Sequence, residues 1–301
     1  MNLTILGCHS ATPRSLAHPT AQVLEVKGHL FLIDCGEGTQ VQLRRYKVKF
    51  SRIKHIFISH LHGDHFFGLV GLISTFRLLG REAELNVYGP KGIKEAITLQ
   101  LKLGNSWTNY PLLFHELDSN EPQLIFDDEK VSVTTIPLNH RVYTNGFLFR
   151  EKPGERKLNI NAVQEAKINL SYYSKIKQGF DVVNEEGKTI KNELLTFDPE
   201  PVRSYAFCSD TKYTPEIVPQ LKHVTVLYHE ATFLSEHQDL AEKTKHSTAK
   251  EAADIANRAH VGRLILGHYS GRYHDFQLFK KEAEEVFREV ELAEDGKVFT
   301  I

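Results

Sequence analysis

The sequence predicts an α/β fold of two β-sheets with helices outside them. Three observations predict it. Strand-like runs are followed by helix-like runs in both halves of the chain. At 301 residues the chain can bury a substantial core. Its 41% hydrophobic and 25% charged residues are ordinary for a soluble globular enzyme.

In chain order, MNLTILG alternates like a half-buried strand, and QVLEV-KGH-LFLID reads as a hairpin turning at Lys27-Gly28-His29. Residues 39–46 read as a helix, HIFIS (55–59) as a short apolar strand, and FFGLVGLISTFRLLG as an apolar helix ending near Gly80. ELNVYGP is a strand and KGIKEAITLQLKLG an amphipathic helix; PLLFHEL, VSVTTIPLNH and NGFLF are strands. Residues 151–200 break the pattern. A short helical stretch, NAVQEAKINL, sits there in polar, Gly- and Pro-punctuated sequence with little core periodicity. The segment is read as an excursion from one domain, 1–301, rather than a second domain. Patterning returns with SYAFCSD, HVTVLYHEATF and RLILGHYS as strands and with helices at 248–259 and 275–290. Thr248-x-x-Glu251 is a capping box opening the first of these helices.

A net charge of −1 is not that of a generic nucleic-acid binder. No apolar stretch approaches the roughly 18–20 residues of a membrane span, and MNLTILG has no secretory pattern. Cys8, Cys35 and Cys208 are odd in number and widely spaced, which suits a reducing cytoplasm. The expected location is cytoplasmic.

Chemistry concentrates in SHLHGDHFFGL (59–69), where His60, His62, Asp64 and His65 fall within six positions. Imidazole and carboxylate suit zinc, with manganese or iron as alternatives. Two histidines two apart in an extended loop can face one ion, and Asp64 with His65 can face a neighbouring one. Four ligands cannot complete two sites. His140 in IPLNH, Asp210 in FCSDT and His268 in LILGHYS each follow an apolar run, where a strand would present them at a sheet edge.

With these residues in place the sequence resembles the metallo-β-lactamase superfamily, and within it the tRNase Z family. HEATF (229–233), HST (246–248), DCGEGTQ (34–40) and VYGPKGI (87–93) extend the resemblance over nearly the whole chain. It implies a four-layer αββα sandwich with an inserted flexible arm. It implies two zinc ions per subunit, one on His60, His62 and His140, one on Asp64, His65 and His268, with Asp210 bridging. It also implies a zinc-dependent endoribonuclease that removes the 3′ trailer of precursor tRNA, with Asp64 as general base. His246 is the candidate proton donor, and Glu230 orients its ring. Short forms of the family are homodimers, and a homodimer is expected here.

Two basic stretches bear on RNA. Residues 44–54 hold Arg44, Arg45, Lys47, Lys49, Arg52 and Lys54 with no acidic residue, which fits RNA contact and a solvated helix end equally well. Residues 150–180 hold seven basic residues against three acidic ones, in the place of the family's tRNA-clasping arm. The family arm's usual Gly-Pro motif is missing from LSYYSKIKQG (170–179). The first loop, CHSATPRSLAHPTAQ, keeps Pro13 and Arg14 but lacks an Arg-Asn pair. The rival reading is a small-molecule or cyclic-nucleotide phosphodiesterase on the same fold, needing neither arm nor HST.

Overall fold

The structure, a computed structural model, describes residues 1–12 and 16–301; Pro13 and Arg14 lie outside the described residues. Two seven-stranded sheets carry the chain. The first runs Val298–Thr300, Asn2–Gly7, Ala21–Val26, His29–Ile33, His55–Phe57, Leu85–Pro90, Leu112–Leu117. The second runs Val290–Leu292, Arg263–Gly267, Val226–Glu230, Ser204–Cys208, Thr144–Glu151, Val131–Leu138, Leu124–Asp127.

Period-2 alternation sorts the first sheet's side chains between two cores. On the strand His29–Ile33, Phe31 and Ile33 join one buried cluster with Val133, Phe147 and Phe207 of the second sheet. Leu30 and Leu32 point the other way, into a cluster with Leu43, Leu72 and Ile97. Those three come from the helices Thr39–Arg45, Gly68–Leu78 and Ile93–Leu103. Helices Ala249–Arg258 and Gln277–Glu284 pack on strands of the second sheet. The layers are helix, sheet, sheet, helix, as expected. Between the sheets, Phe57 meets Phe147 and Phe149 at ring-centroid distances of 5.5 and 5.4 Å. Burying each such ring stabilises the sandwich by about 1.5–3 kcal/mol.

Some elements differ from expectation. The apolar helix after the histidine loop is two helices, Gly63–Phe66 and Gly68–Leu78, joined at Phe67. The break brings Gly68 against the loop after the third strand: a Cβ there would sit 2.1 Å from the Gly36 carbonyl oxygen, so only glycine fits. The helix expected over 275–290 is shorter, Gln277–Glu284, and is followed by the strand Val290–Leu292. That strand, Val298–Thr300 and Leu124–Asp127 are too short to show an alternating pattern. The capping box at Thr248 and Glu251 is present in both directions.

The chain separates into two compact units. One comprises residues 1–127, 131–150 and 203–301; the other comprises 128–130 and 151–202. Contrary to the weak periodicity of its sequence, the smaller unit has its own buried cluster of Val163, Ile168, Ile176, Val182 and Leu195. The cluster escapes a periodicity search because its members come from elements of two to six residues and, for Ile168, from the connection between two of them. Asn192 ties the unit together, donating to the carbonyls of Ile176 and Phe180 at 2.7 and 3.0 Å. Among the described residues no helix is long and apolar enough to cross a membrane.

Candidate active site

Every expected ligand stands just past a strand, in the loop that follows it or in the first turn of the helix behind that loop. His60 and His62 follow His55–Phe57, and Asp64 and His65 lie on the short helix behind them. His140 follows Val131–Leu138, Asp210 follows Ser204–Cys208, and His268 follows Arg263–Gly267. Asp210 and His268 take left-handed backbone angles, φ 58° and 61°. Such strain at non-glycine residues is kept where the surroundings over-determine it, often at functional sites.

The structure brings all seven together around Asp210. One oxygen, Oδ2, lies 3.6 Å from His60 Nε2 and 3.7 Å from His140 Nε2. His62 Nδ1 completes that group, 3.0 Å from His60 Nε2 and 3.3 Å from His140 Nε2. The other oxygen, Oδ1, lies 3.1 Å from both His65 Nε2 and His268 Nε2. Asp64 Oδ2 stands 3.6 Å from each of the same two nitrogens. A tetrahedral site with bonds of about 2.0–2.2 Å has edges of roughly 3.3–3.6 Å, so both groups have the dimensions of a cation site.

Proton positions make the same point. The His140 Nδ1–H donates to the Lys245 carbonyl at 2.9 Å, which can only accept. His65 Nδ1 donates to Asp34 at 2.7 Å. Ser59 gives its hydroxyl proton to Asp34 at 2.8 Å and therefore accepts from His60 Nδ1 at 3.0 Å. Thr232 gives its proton to Glu230 at 2.5 Å and accepts from His268 Nδ1 at 2.9 Å. Each ring thus aims Nε2 inward with Nδ1 already engaged, and among the described residues those of His65 and His268 have no hydrogen-bond partner. Despite burial, Asp210, Asp64 and Asp34 raise the His65 pKa well above its ordinary value, so a cation there would take the place of its proton. Burial lowers the pKa of His60 and His62 and takes His140 down to about 4, despite Asp210 nearby, leaving them in the neutral ligand form. Lone pairs converging on a carboxylate call for a cation, and the residues fit one at each of two positions.

Sequence reasoning missed Asp34 and Thr232. Asp34 is fully buried, has φ 54°, and accepts from the Ser59 amide at 2.7 Å as well as from His65. The available signal was a carboxylate directly behind the apolar run LFLI, the same position type as Asp210. Outer partners of this kind hold ligand tautomers. Asp34→Asn is therefore expected to weaken cation affinity about 10–100-fold, read by competition with a calibrated chelator; unchanged affinity would remove the role.

The pair expected to move a proton is assembled too. His246 Nδ1 lies 2.7 Å from Glu230 Oε1, and Glu230 is fully buried at the end of Val226–Glu230. Glu230 also accepts from the Thr211 amide at 2.9 Å and the Thr232 amide at 3.1 Å. Burial opposes charge on both partners, but their attraction wins: Glu230 is held below the ordinary carboxylate range and His246 is raised to about 9. The His246 ring stacks on His268 with centroids 5.3 Å apart, and lies 5.0 Å from His140. Asp64 is also held low, burial being outweighed by the His65 and His268 rings, and it accepts from the Ala11 amide at 2.8 Å.

The basic stretches read differently in three dimensions. Over 44–54, Arg52 pairs with Glu25 at 3.0 Å, Arg44 covers the Phe50 ring at 5.4 Å and Arg45 donates to Gln42. In the smaller unit Arg156, Lys157 and Lys167 pair with Asp198, Glu200 and Glu186. The positive excess of 150–180 is thus met by acidic residues further along: 151–200 as a whole has eight basic residues against nine acidic.

Comparison with known proteins bears on both halves of the chain. A family model described as Anti-Pycsar protein Apyc1 matches residues 1–156. A ribonuclease Z of Bacteroides thetaiotaomicron is 48% identical over 299 residues, spanning 99% of this chain and 95% of its own. The crystal structure of the short form of human tRNase Z is similar at a TM-score of 0.73 and 29% identity, covering 100% of this chain and 99% of that one. A metallo-β-lactamase fold protein from Bacillus subtilis, 18% identical with a TM-score of 0.69 and 99% coverage of both chains, shares the fold. The full-length relationship spans the second half of the chain, which the match to residues 1–156 does not reach, and the chain belongs to the ribonuclease Z family of hydrolytic endoribonucleases.

Proposed function

We propose that the chain removes the 3′ trailer from precursor tRNA, leaving a 3′-OH on the tRNA and a 5′-phosphate on the trailer. The observation that carries this reading is the Glu230–His246 pair set against two donor groups that share Asp210. His60, His62 and His140 with Asp210, and Asp64, His65 and His268 with Asp210, would hold two zinc ions, or manganese or iron, which stabilise attacking and leaving oxygens when bound. Asp64 orients the attacking water and takes up its proton; the Ala11 amide donates to its carboxylate and favours the ionised form for that task. His246 delivers a proton to the departing ribose 3′-oxygen, a poor leaving group without one. Glu230 fixes Nδ1 of that ring, so Nε2 is the nitrogen that faces the substrate.

The smaller unit, residues 151–200 above all, serves as the substrate-binding arm of a single domain. Within 150–180 the expected RNA contact falls on Lys175 and Lys177, at the end of the helix Tyr173–Lys177 and next to Tyr172. A homodimer is supported by exposed Leu78, Leu79, Leu103 and Trp107 on and behind the helices Gly68–Leu78 and Ile93–Leu103. Three free, buried cysteines agree with a cytoplasmic location.

The test is a cleavage map of an end-labelled precursor tRNA with zinc present. One cut just after the discriminator nucleotide is expected; hydrolysis of a simple phosphodiester without that cut would show the substrate to be misread. A small or cyclic phosphodiester is the second reading. It draws on the match of residues 1–156, which hold five of the seven candidate ligands but neither Glu230 nor His246. Removing residues 151–200 separates the two. On the tRNA reading, KM for precursor tRNA rises about 10–100-fold through lost phosphate contacts, while hydrolysis of a small ester is unchanged. Unchanged cleavage of the precursor would favour the second reading.

A further inference from the structure

Away from the two donor groups, the first loop and the turn at 294–296 together carry a third set of metal-ligating side chains. Cys8 Sγ, a ring nitrogen of His9 and a carboxylate oxygen of Asp295 all lie within 4.8 Å of one another. Cys8 Sγ is 3.7 Å from Asp295 Oδ1. Around a tetrahedral ion, a sulfur at about 2.3 Å and an oxygen at about 2.1 Å stand roughly 3.6 Å apart. Asp295 is aimed from behind: its Oδ2 accepts from the His18 amide at 3.1 Å and meets His18 Nδ1 at 2.7 Å. The His9 ring is placed by Tyr269 and Phe276, at centroid distances of 6.0 and 5.5 Å.

We propose that Cys8, His9 and Asp295 form a further cation site, for zinc or another borderline divalent metal, distinct from the candidate active site. A thiolate, an imidazole and a carboxylate are the donor set of such ions rather than of magnesium or calcium. Entry is open. His9 and Asp295 line a cavity of about 450 Å³ whose wall also carries Asp275 and Glu294, acidic groups that draw cations in. Binding converts the Cys8 thiol to a thiolate and releases its proton to solvent. The alternative occupant of the same line is a thiol proton shared between Cys8 and Asp295.

The consequence reaches the active site through the backbone. The His268 amide donates to the Cys8 carbonyl at 2.7 Å, and the Ala11 amide of the same loop donates to Asp64 at 2.8 Å. A cation here would clamp the loop to the turn at 294–296 and so hold the amide that positions Asp64.

Cobalt(II) chloride added to metal-stripped, full-length protein tests this. The candidate active site contains no cysteine, so a thiolate-to-cobalt charge-transfer band reports only on a cysteine site. The expected result is such a band, lost in both Cys8→Ser and Asp295→Asn, with one metal equivalent fewer per chain in each. Wild-type protein saturated with cobalt and showing no thiolate band overturns the proposal. So does a band that survives Cys8→Ser, since it would belong to Cys35 or Cys208. Should Cys8→Ser not fold, Asp295→Asn decides alone, because it keeps the thiol: loss of the band supports the site and an unchanged band overturns it.

Discussion

Replacing Asp210 by alanine is expected to cost about 10³-fold or more in the rate of phosphodiester hydrolysis, because Lewis-acid stabilisation worth several kcal/mol is lost. Among the described residues, Asp210 is the side chain whose two oxygens face both donor groups. Its Oδ2 lies near His60 and His140, and its Oδ1 near His65 and His268. His60, His62 and His140 then converge with no carboxylate among them, Asp64 alone remains beside His65 and His268, and burial already disfavours any positive charge on His60 and His140. Cation content should fall together with activity, measured as metal per chain beside initial rates on a small phosphodiester, for which the arm is irrelevant. A folded Asp210→Ala protein with full metal content and wild-type rate would mean that the convergence of these residues has another purpose.

His246→Ala should lower kcat on precursor tRNA by about 10²–10⁴-fold, the range for removing a general acid, with metal content unchanged. The discriminating comparison is the leaving group. An activated aryl phosphodiester expels a stable anion and needs no proton, so it should lose far less than the RNA substrate; equal losses on both would replace the acid role with an electrostatic one. The pH profile gives a second reading. Paired with Glu230, His246 holds its proton up to about 9, and bound cations would bring that value down. As pH rises through this pKa the acid form is lost and kcat should fall. That falling limb should vanish in the alanine variant.

Much of this centre was legible from residue order. SHLHGDHFFGL names four donors at a spacing only a loop between strand and helix would use, and His140, Asp210 and His268 each end an apolar run. The capping box was legible too, because Thr248 and Glu251 act within one helical turn. Asp34 and Thr232 were not. Both stand in recognisable stretches, DCGEGTQ and HEATF, but each works on a histidine far along the chain, Asp34 on His65 and Thr232 on His268, so its role does not follow from local order. The charge of the arm, too, reads differently once the chain is folded. Its positive excess was real over 150–180, but Glu186, Asp198 and Glu200 come later in the chain and return to neutralise Lys167, Arg156 and Lys157.

By itself the sequence determined the element types of the sheets and their main helices, and the identities of the seven converging donors. Those features follow from periodicity and local spacing, which act between near neighbours in the chain. Only the tertiary structure decided which oxygen of Asp210 faces which histidines, which ring nitrogens point inward, and which lysines are already paired. The reason is physical: hydrogen bonds and charge pairs act at about 3 Å in space, and the left-handed turns at Asp34, Asp210 and His268 bring to that range residues far apart in the chain.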